Sequence, residues 1–269
     1  GVRIRREGHG GDLKLSGNII DVNGLKNKLL DPATAKTLSI PPMTLAGNVA
    51  MRRGVADGRL TARTKSGAIR LDGRWNSRRE DYTATIATDR FPVNAFMPLL
   101  GVGEVTAGLK ATGHGYNPFA ADTELDAGLD VKSAVYQGVA YKNIEGKAHV
   151  AGGRADVSLT SADEALDFAL GATGNLTGDS YDWTVDMQGR NIDLERLGMS
   201  TEPATIELYA KADATLGPGK NNIKAHLVLD DLFFRRHSGT ISLSDVDAHF
   251  AGADSLTSLS VTNRDFLAS

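Results

Sequence analysis

The chain has 269 residues, 41% of them hydrophobic and 23% charged, with a net charge of −3 and both signs interspersed. This composition excludes a disordered segment and provides enough chain for a sizeable core. No basic cluster interleaved with aromatics points to nucleic acid, no apolar run reaches the roughly 18–20 residues of a membrane-spanning helix, and the absence of cysteine excludes disulfides and thiolate chemistry.

The first residues, Gly1-Val2-Arg3-Ile4-Arg5-Arg6, read as mid-strand, and Ser269 directly follows a strand-like segment. The expectation is a fragment of a longer protein, with any targeting segment outside it. From there, alternation of apolar and polar residues predicts one strand after another, each with one buried face. Met43, Leu45, Gly47, Val49 and Met51 form the first clear series, followed by Ile69, Leu71, Gly73 and Trp75. Val105, Ala107, Leu109 and Ala111 come next, then Leu125, Ala127, Leu129, Val131 and Val135. Leu166, Phe168 and Leu170 precede Tyr181, Trp183, Val185 and Met187. Ile206, Leu208 and Ala210, then Ile223, Ala225, Leu227 and Leu229, and finally Leu259 and Val261 complete the set. Turn signals fall at Gly10-Gly11, Asp57-Gly58, Gly113-His114-Gly115, Gly152-Gly153, Gly178-Asp179 and Gly217-Pro218-Gly219. The pattern predicts an all-β chain of successive hairpins. Short helices are expected at Asn23–Leu30, Asn94–Leu100 and Asp193–Leu197, each opened by an Asn or Asp cap.

Part of the chain repeats itself about 100 residues on. Lys147-Ala148-His149-Val150-Ala151-Gly152-Gly153 matches Asp247-Ala248-His249-Phe250-Ala251-Gly252-Ala253, and Tyr82 to Ile86 matches Tyr181 to Val185. Self-similarity of this kind predicts an array of units: residues 1–80 as a first, shorter β unit, 81–178 as a second and 179–269 as a third, joined in one continuous sheet with the short helices at the junctions.

Chemistry-bearing constellations are scarce. His149 and His249 occupy equivalent repeat positions and, with His226, fall on the polar phase of their strands. No histidine lies three or four residues from another, so no metal site is predicted, and no cofactor is expected. Gly8-His9-Gly10-Gly11 lacks the Gly-x-Ser-x-Gly elbow of an esterase, and Gly101-Val102-Gly103 is not a dinucleotide fingerprint. Asp230-Asp231, Asp245 and Asp247 lack calcium-loop spacing and read as a solvated face. Asn175-Leu176-Thr177 fits the glycosylation triplet. Arg52-Arg53, Arg78-Arg79 and Arg235-Arg236 are isolated pairs at strand ends. The apolar stripe is the remaining candidate: either the closed core of a sandwich or, being rich in small and aliphatic residues, the lining of an apolar trough.

The run from Leu129 through Tyr136-Gln137-Gly138 to Tyr141-Lys142-Asn143-Ile144 resembles segments of the AsmA-like superfamily, in particular TamB of the translocation and assembly module in its Bacteroidetes form. Asn191-Ile192-Asp193-Leu194-Glu195-Arg196-Leu197-Gly198 with Glu202-Pro203, and Val261-Thr262-Asn263-Arg264-Asp265-Phe266, are similar to its recurring junctions. The resemblance covers most of the chain from Asp81 on and the earlier part more loosely.

It implies an elongated, strongly curved antiparallel sheet, a half-pipe or β-taco, with an apolar interior. It also implies a non-enzymatic role, without catalytic residues, in phospholipid transport across the periplasm during outer-membrane biogenesis. The partners would be phospholipid and the inner membrane, the latter through an anchor outside this chain, with a BamA-type outer-membrane barrel met through a region not present here. The groove residues expected are Leu109, Leu125, Leu129, Val131, Phe168, Leu170, Trp183, Val185, Leu208, Leu227 and Leu229. The alternative is a structural or adhesive β-sandwich array at the cell surface.

Overall fold

The computed structural model describes residues 2–7, 12–19, 39, 41–117, 119–217, 223–253 and 256–263, with side chains described for 39, 41–117, 119–217 and 223–252. Among the described residues sixteen strands follow one another: β1 (Val2–Glu7), β2 (Asp12–Ile19), β3 (Met43–Arg52), β4 (Val55–Arg63), β5 (Ala68–Asn76), β6 (Asp81–Pro92), β7 (Val102–His114) and β8 (Glu124–Tyr136), then β9 (Val139–Ala151), β10 (Arg154–Asp163), β11 (Leu166–Asn175), β12 (Tyr181–Asp193), β13 (Ala204–Leu216), β14 (Ile223–Arg236), β15 (Gly239–Ala253) and β16 (Leu256–Asn263). They form one open antiparallel sheet whose strand order is the chain order. The chain divides into two compact units, one comprising Gly1–His114 with Ala127–Asn143 and the other Gly115–Asp126 with Ile144–Ser269.

Two-residue hairpins explain why consecutive strands pair. Arg53-Gly54, Gln137-Gly138 and Gly152-Gly153 each have positive φ at both positions, with Gly54 at 85° and Gly138 at 86°. This is the type I′ turn, whose twist matches that of the flanking strands and which places glycine where an L side chain is strained. The turn expected at Asp57-Gly58 lies instead inside β4, where Gly58 pairs with Val49 and Gly73. A Cβ on Gly58 would stand 3.1 Å from Val49 Cγ2, so this glycine accommodates a neighbouring side chain rather than reversing the chain.

The expected short helices also change. Asn23–Leu30 lies outside the described residues. A four-residue helical turn, α1 (Val93–Phe96), leads into a 3-10 turn at Pro98–Leu100, but the cap position is Pro92 and no side chain caps it; β6 runs directly into the proline, leaving Asn94 within the first turn. Asp193–Leu197 is a single turn, not a helix. There the Leu197 N–H donates to the Asp193 carbonyl at 3.0 Å and the Arg196 N–H to Asp193 Oδ1 at 3.0 Å. Gly198, at φ 72°, ends it, and one turn recovers too little hydrogen bonding to propagate.

Residues paired directly across a ladder project to the same side of a sheet. In the first unit Gly47, Leu60, Leu71, Ile86 and Leu109 are successive partners from β3 to β7. The adjoining row is Asn48, Arg59, Asp72, Thr85 and Lys110. In the second unit Val157, Ala172, Val185, Ala212, Leu227 and Ala248 form one row, and Asp156, Thr173, Thr184, Asp213, His226 and His249 the next. Each unit therefore has an apolar and a polar face.

β-Bulges preserve this sorting where the sequence breaks phase. Between Tyr209 and Ala210 of β13 the partner jumps from Asp231 to Leu229, skipping Asp230, so that Leu229 and Leu232 of β14 both stay on the apolar side opposite Ala210 and Leu208.

Interior is scarce. Among the described residues the buried apolar side chains are Val131, Tyr141, Val150, Ala155, Ala165, Ala204 and Ala210, most of them alanines.

Candidate functional site: the apolar sheet face

Seven of the expected groove residues lie on one face by register alone. Phe168 and Leu170 of β11 pair with Gly189 and Met187 of β12, and Trp183 and Val185 pair with Ala214 and Ala212 of β13. Leu208 pairs with Leu232 of β14, and Leu227 and Leu229 with Ala212 and Ala210. Most of these large side chains face small ones across the ladder, so the surface is apolar without continuous ridges of bulky residues. In the first unit Leu109 occupies the apolar row opposite Ile86.

Leu125, Leu129 and Val131 share one side of β8 by the two-residue alternation of a strand. The other side of β8 carries Asp126, whose Oδ1 lies 2.7 Å from His149 Nδ1. Among these residues Val131 is buried at 9% exposure and Leu227 exposed at 42%, while the others are half-buried. A closed sandwich core would push most of such side chains towards full burial.

The apolar face has polar ends that the alternation did not reveal. In β10 the apolar parity of Ala155, Val157 and Leu159 continues into Ser161 and Asp163, both buried. Asp163 Oδ1 accepts from the Ala165 N–H at 2.8 Å, which ties down the turn into β11. At the rim of the first unit the Phe91 and Phe96 rings stack at 4.7 Å, and Leu99 and Leu100 extend into solvent.

The polar face is laced by cross-strand charge pairs. Arg59 pairs with Asp72, Arg190 with Asp167, and Arg235 with Glu207. Hydrogen bonding to the Arg235 guanidinium holds the Glu207 carboxyl below its usual range. The Asp72 and Asp167 carboxylates raise the Arg59 and Arg190 guanidinium values in the same way. These exposed pairs fix register and solubility more than stability. Arg52-Arg53 and Arg235-Arg236 fall at strand ends, whereas Arg78-Arg79 lie in the turn between β5 and β6; Arg235 and Arg236 lie over the Phe233 and Phe234 rings.

Histidines recur on the polar face beside aspartates. His114 Nδ1 is 3.0 Å from Asp81 Oδ1, and His149 faces Asp126. His226 and His249, 23 positions apart along the chain, are direct cross-strand partners. With Asp247 they make a cluster of three ligand-type side chains, which spacing along the chain did not show. The Asn175 side chain is engaged internally, accepting from the Thr177 N–H at 2.9 Å. The Gly8–Gly11 segment lies outside the described residues.

No family model, curated protein or solved structure matches this chain.

Proposed function

We propose that this chain is a non-enzymatic segment of a periplasm-spanning bridge, of the AsmA-like and TamB kind, whose apolar face carries phospholipid acyl chains between the inner and outer membranes. The observation that carries the proposal is the sorting of side chains in each unit: one face predominantly apolar, assembled from half-buried aliphatic and small residues, the other face charged. In this reading the sheet curves into a half-pipe of repeated units, and Leu109, Leu125, Leu129, Val131, Phe168, Leu170, Trp183, Val185, Leu208, Leu227 and Leu229 line it.

The energetics suit that role. An acyl chain leaving a bilayer loses about 0.8 kcal/mol per methylene exposed to water, and an apolar lining offsets this without directional chemistry. A lining that alternates leucine, valine and phenylalanine with alanine and glycine offers width and no single deep pocket, so a bound chain slides rather than lodges.

The test is native mass spectrometry of the chain purified from a Gram-negative host, alongside the Leu129→Glu variant. Co-purified phospholipid in the parent, lost from a folded Leu129→Glu variant, is the expected result. Lipid-free parent protein, or undiminished lipid in the variant, overturns the proposal and favours the adhesive β-sandwich reading.

A further inference from the structure

On the face opposite the proposed lipid surface, His226 of β14 and His249 of β15 stand directly across the ladder from one another. Their rings are stacked, with centroids 4.2 Å apart and planes within 2°. Asp247 precedes His249 by two residues in β15 and so projects to the same side. Its Oδ1 lies 3.0 Å from His226 Nε2 and 3.0 Å from His249 Nε2. The three ligand atoms lie within 4.8 Å of one another, which is a convergent set and not a row of separate surface groups.

We propose that His226, His249 and Asp247 form a binding site for a divalent transition-metal ion of the zinc class. Two imidazole nitrogens and one carboxylate oxygen are the donor set this ion takes at about 2.0–2.2 Å, with the fourth tetrahedral position left to water. Ligand atoms of such a site are separated by about 3.3 Å, so each 3.0 Å nitrogen–oxygen separation widens by about 0.3 Å, and the two rings, now within 2° of parallel, rotate until both ring planes contain the ion. Ordinary rotamer adjustment at an exposed strand supplies that. The side chains of His226, Asp247 and His249 keep 36%, 44% and 60% of their exposure, so an ion reaches them from solvent.

The surroundings favour the ion electrostatically. Asp213, the direct partner of His226 on β13, supplies a further negative charge and is itself oriented by the Thr184 hydroxyl, which donates to its Oδ1 at 2.8 Å. His226 and His249 themselves line a depression shared with Asp213, Thr215 and Lys224.

The experiment is titration of the metal-stripped 269-residue chain with Zn²⁺ by calorimetry. The expected result is saturable binding of one ion per chain, weakened at least tenfold by His226→Ala, His249→Ala or Asp247→Asn and unchanged by His149→Ala. Absence of saturable binding, or equal loss on His149→Ala, overturns the proposal. A readout that needs no variant is carbethoxylation of histidines followed by peptide mass spectrometry. Zn²⁺ should protect His226 and His249 while leaving His114 and His149 reactive, and uniform reactivity with and without the ion sinks the assignment. Neither measurement depends on lipid binding, so the two proposals stand or fall separately.

Discussion

Gly174 and Trp183 are direct partners across the β11–β12 ladder, and the indole lies over the bare glycine: a Cβ placed on Gly174 would be 2.3 Å from Trp183 Cδ2. On its other flank Trp183 pairs with Ala214, so the largest side chain of this face is seated between two of the smallest. Gly174→Ala should displace the indole and cost about 1–3 kcal/mol as an overpacking substitution. The check is urea denaturation combined with emission of Trp183 in a Trp75→Phe background. An unshifted spectrum and unchanged midpoint would show that the ring does not rest on Gly174.

The two faces should respond oppositely to the same charge. Val185→Glu puts a carboxylate in the apolar row, while Gln188→Glu puts one on the polar face of the same strand. The affinity for an environment-sensitive acyl probe, read by fluorescence titration of each folded variant, should fall by about four- to fifteenfold for Val185→Glu, in line with the loss of one or two buried methylene contacts, and stay at the parent level for Gln188→Glu. Equal responses would place acyl binding elsewhere.

Backbone strain and crowding separate at two turn glycines. Gly138 has φ of 86° and open space where a Cβ would stand, while Gly153 has φ of 72° and would bring its Cβ to 2.4 Å from Thr177 Oγ1. Gly138→Ala should therefore cost about 1 kcal/mol, from the left-handed conformation alone. Gly153→Ala should cost more, and adding Thr177→Ala should recover the excess. Chemical denaturation of the three variants tests this ordering.

The Arg235–Glu207 pair gives a pH dependence with a defined sign. Because the folded-state value of Glu207 is depressed from 4.5 by its hydrogen bonds to Arg235, the pair contributes stability above about that pH. The contribution is lost as pH falls through the lower folded-state value. The carboxyl resonance of Glu207, followed by carbon NMR, should titrate below 4.5 in the parent and move up towards it in Arg235→Met. High salt should shrink the difference, since the pair is exposed.

The alternation of the sequence made the strands and the composition of both faces legible because most described strands keep one parity facing one way. Phe168, Leu170, Trp183 and Val185 could be grouped from spacing alone. What spacing could not show was cross-strand register. Asp57-Gly58 has the residues of a tight turn, yet the reversal falls at Arg53-Gly54 and Gly58 makes room for Val49. Asp230-Asp231 reads as an acidic pair, yet one residue is absorbed by a bulge that keeps Leu229 and Leu232 in phase. His226 and His249 meet only because the hairpin between them closes with His237-Ser238 at its tip and the ladder keeps one register from Arg236–Gly239 to the two histidines; nothing local to either residue signals the other.

A sheet whose strand order is its chain order also has a mechanical signature. Each strand is held by its immediate neighbours in sequence, so an end strand can detach without disturbing distant ones. Pulled from its termini, such a chain peels: strands leave one at a time from the edges, each at modest force, where a sandwich with interleaved strands would resist and then rupture at once. Extension traces should show a ladder of small steps, and a segment stretched between two moving anchors could give way at an edge and re-zip when the load falls.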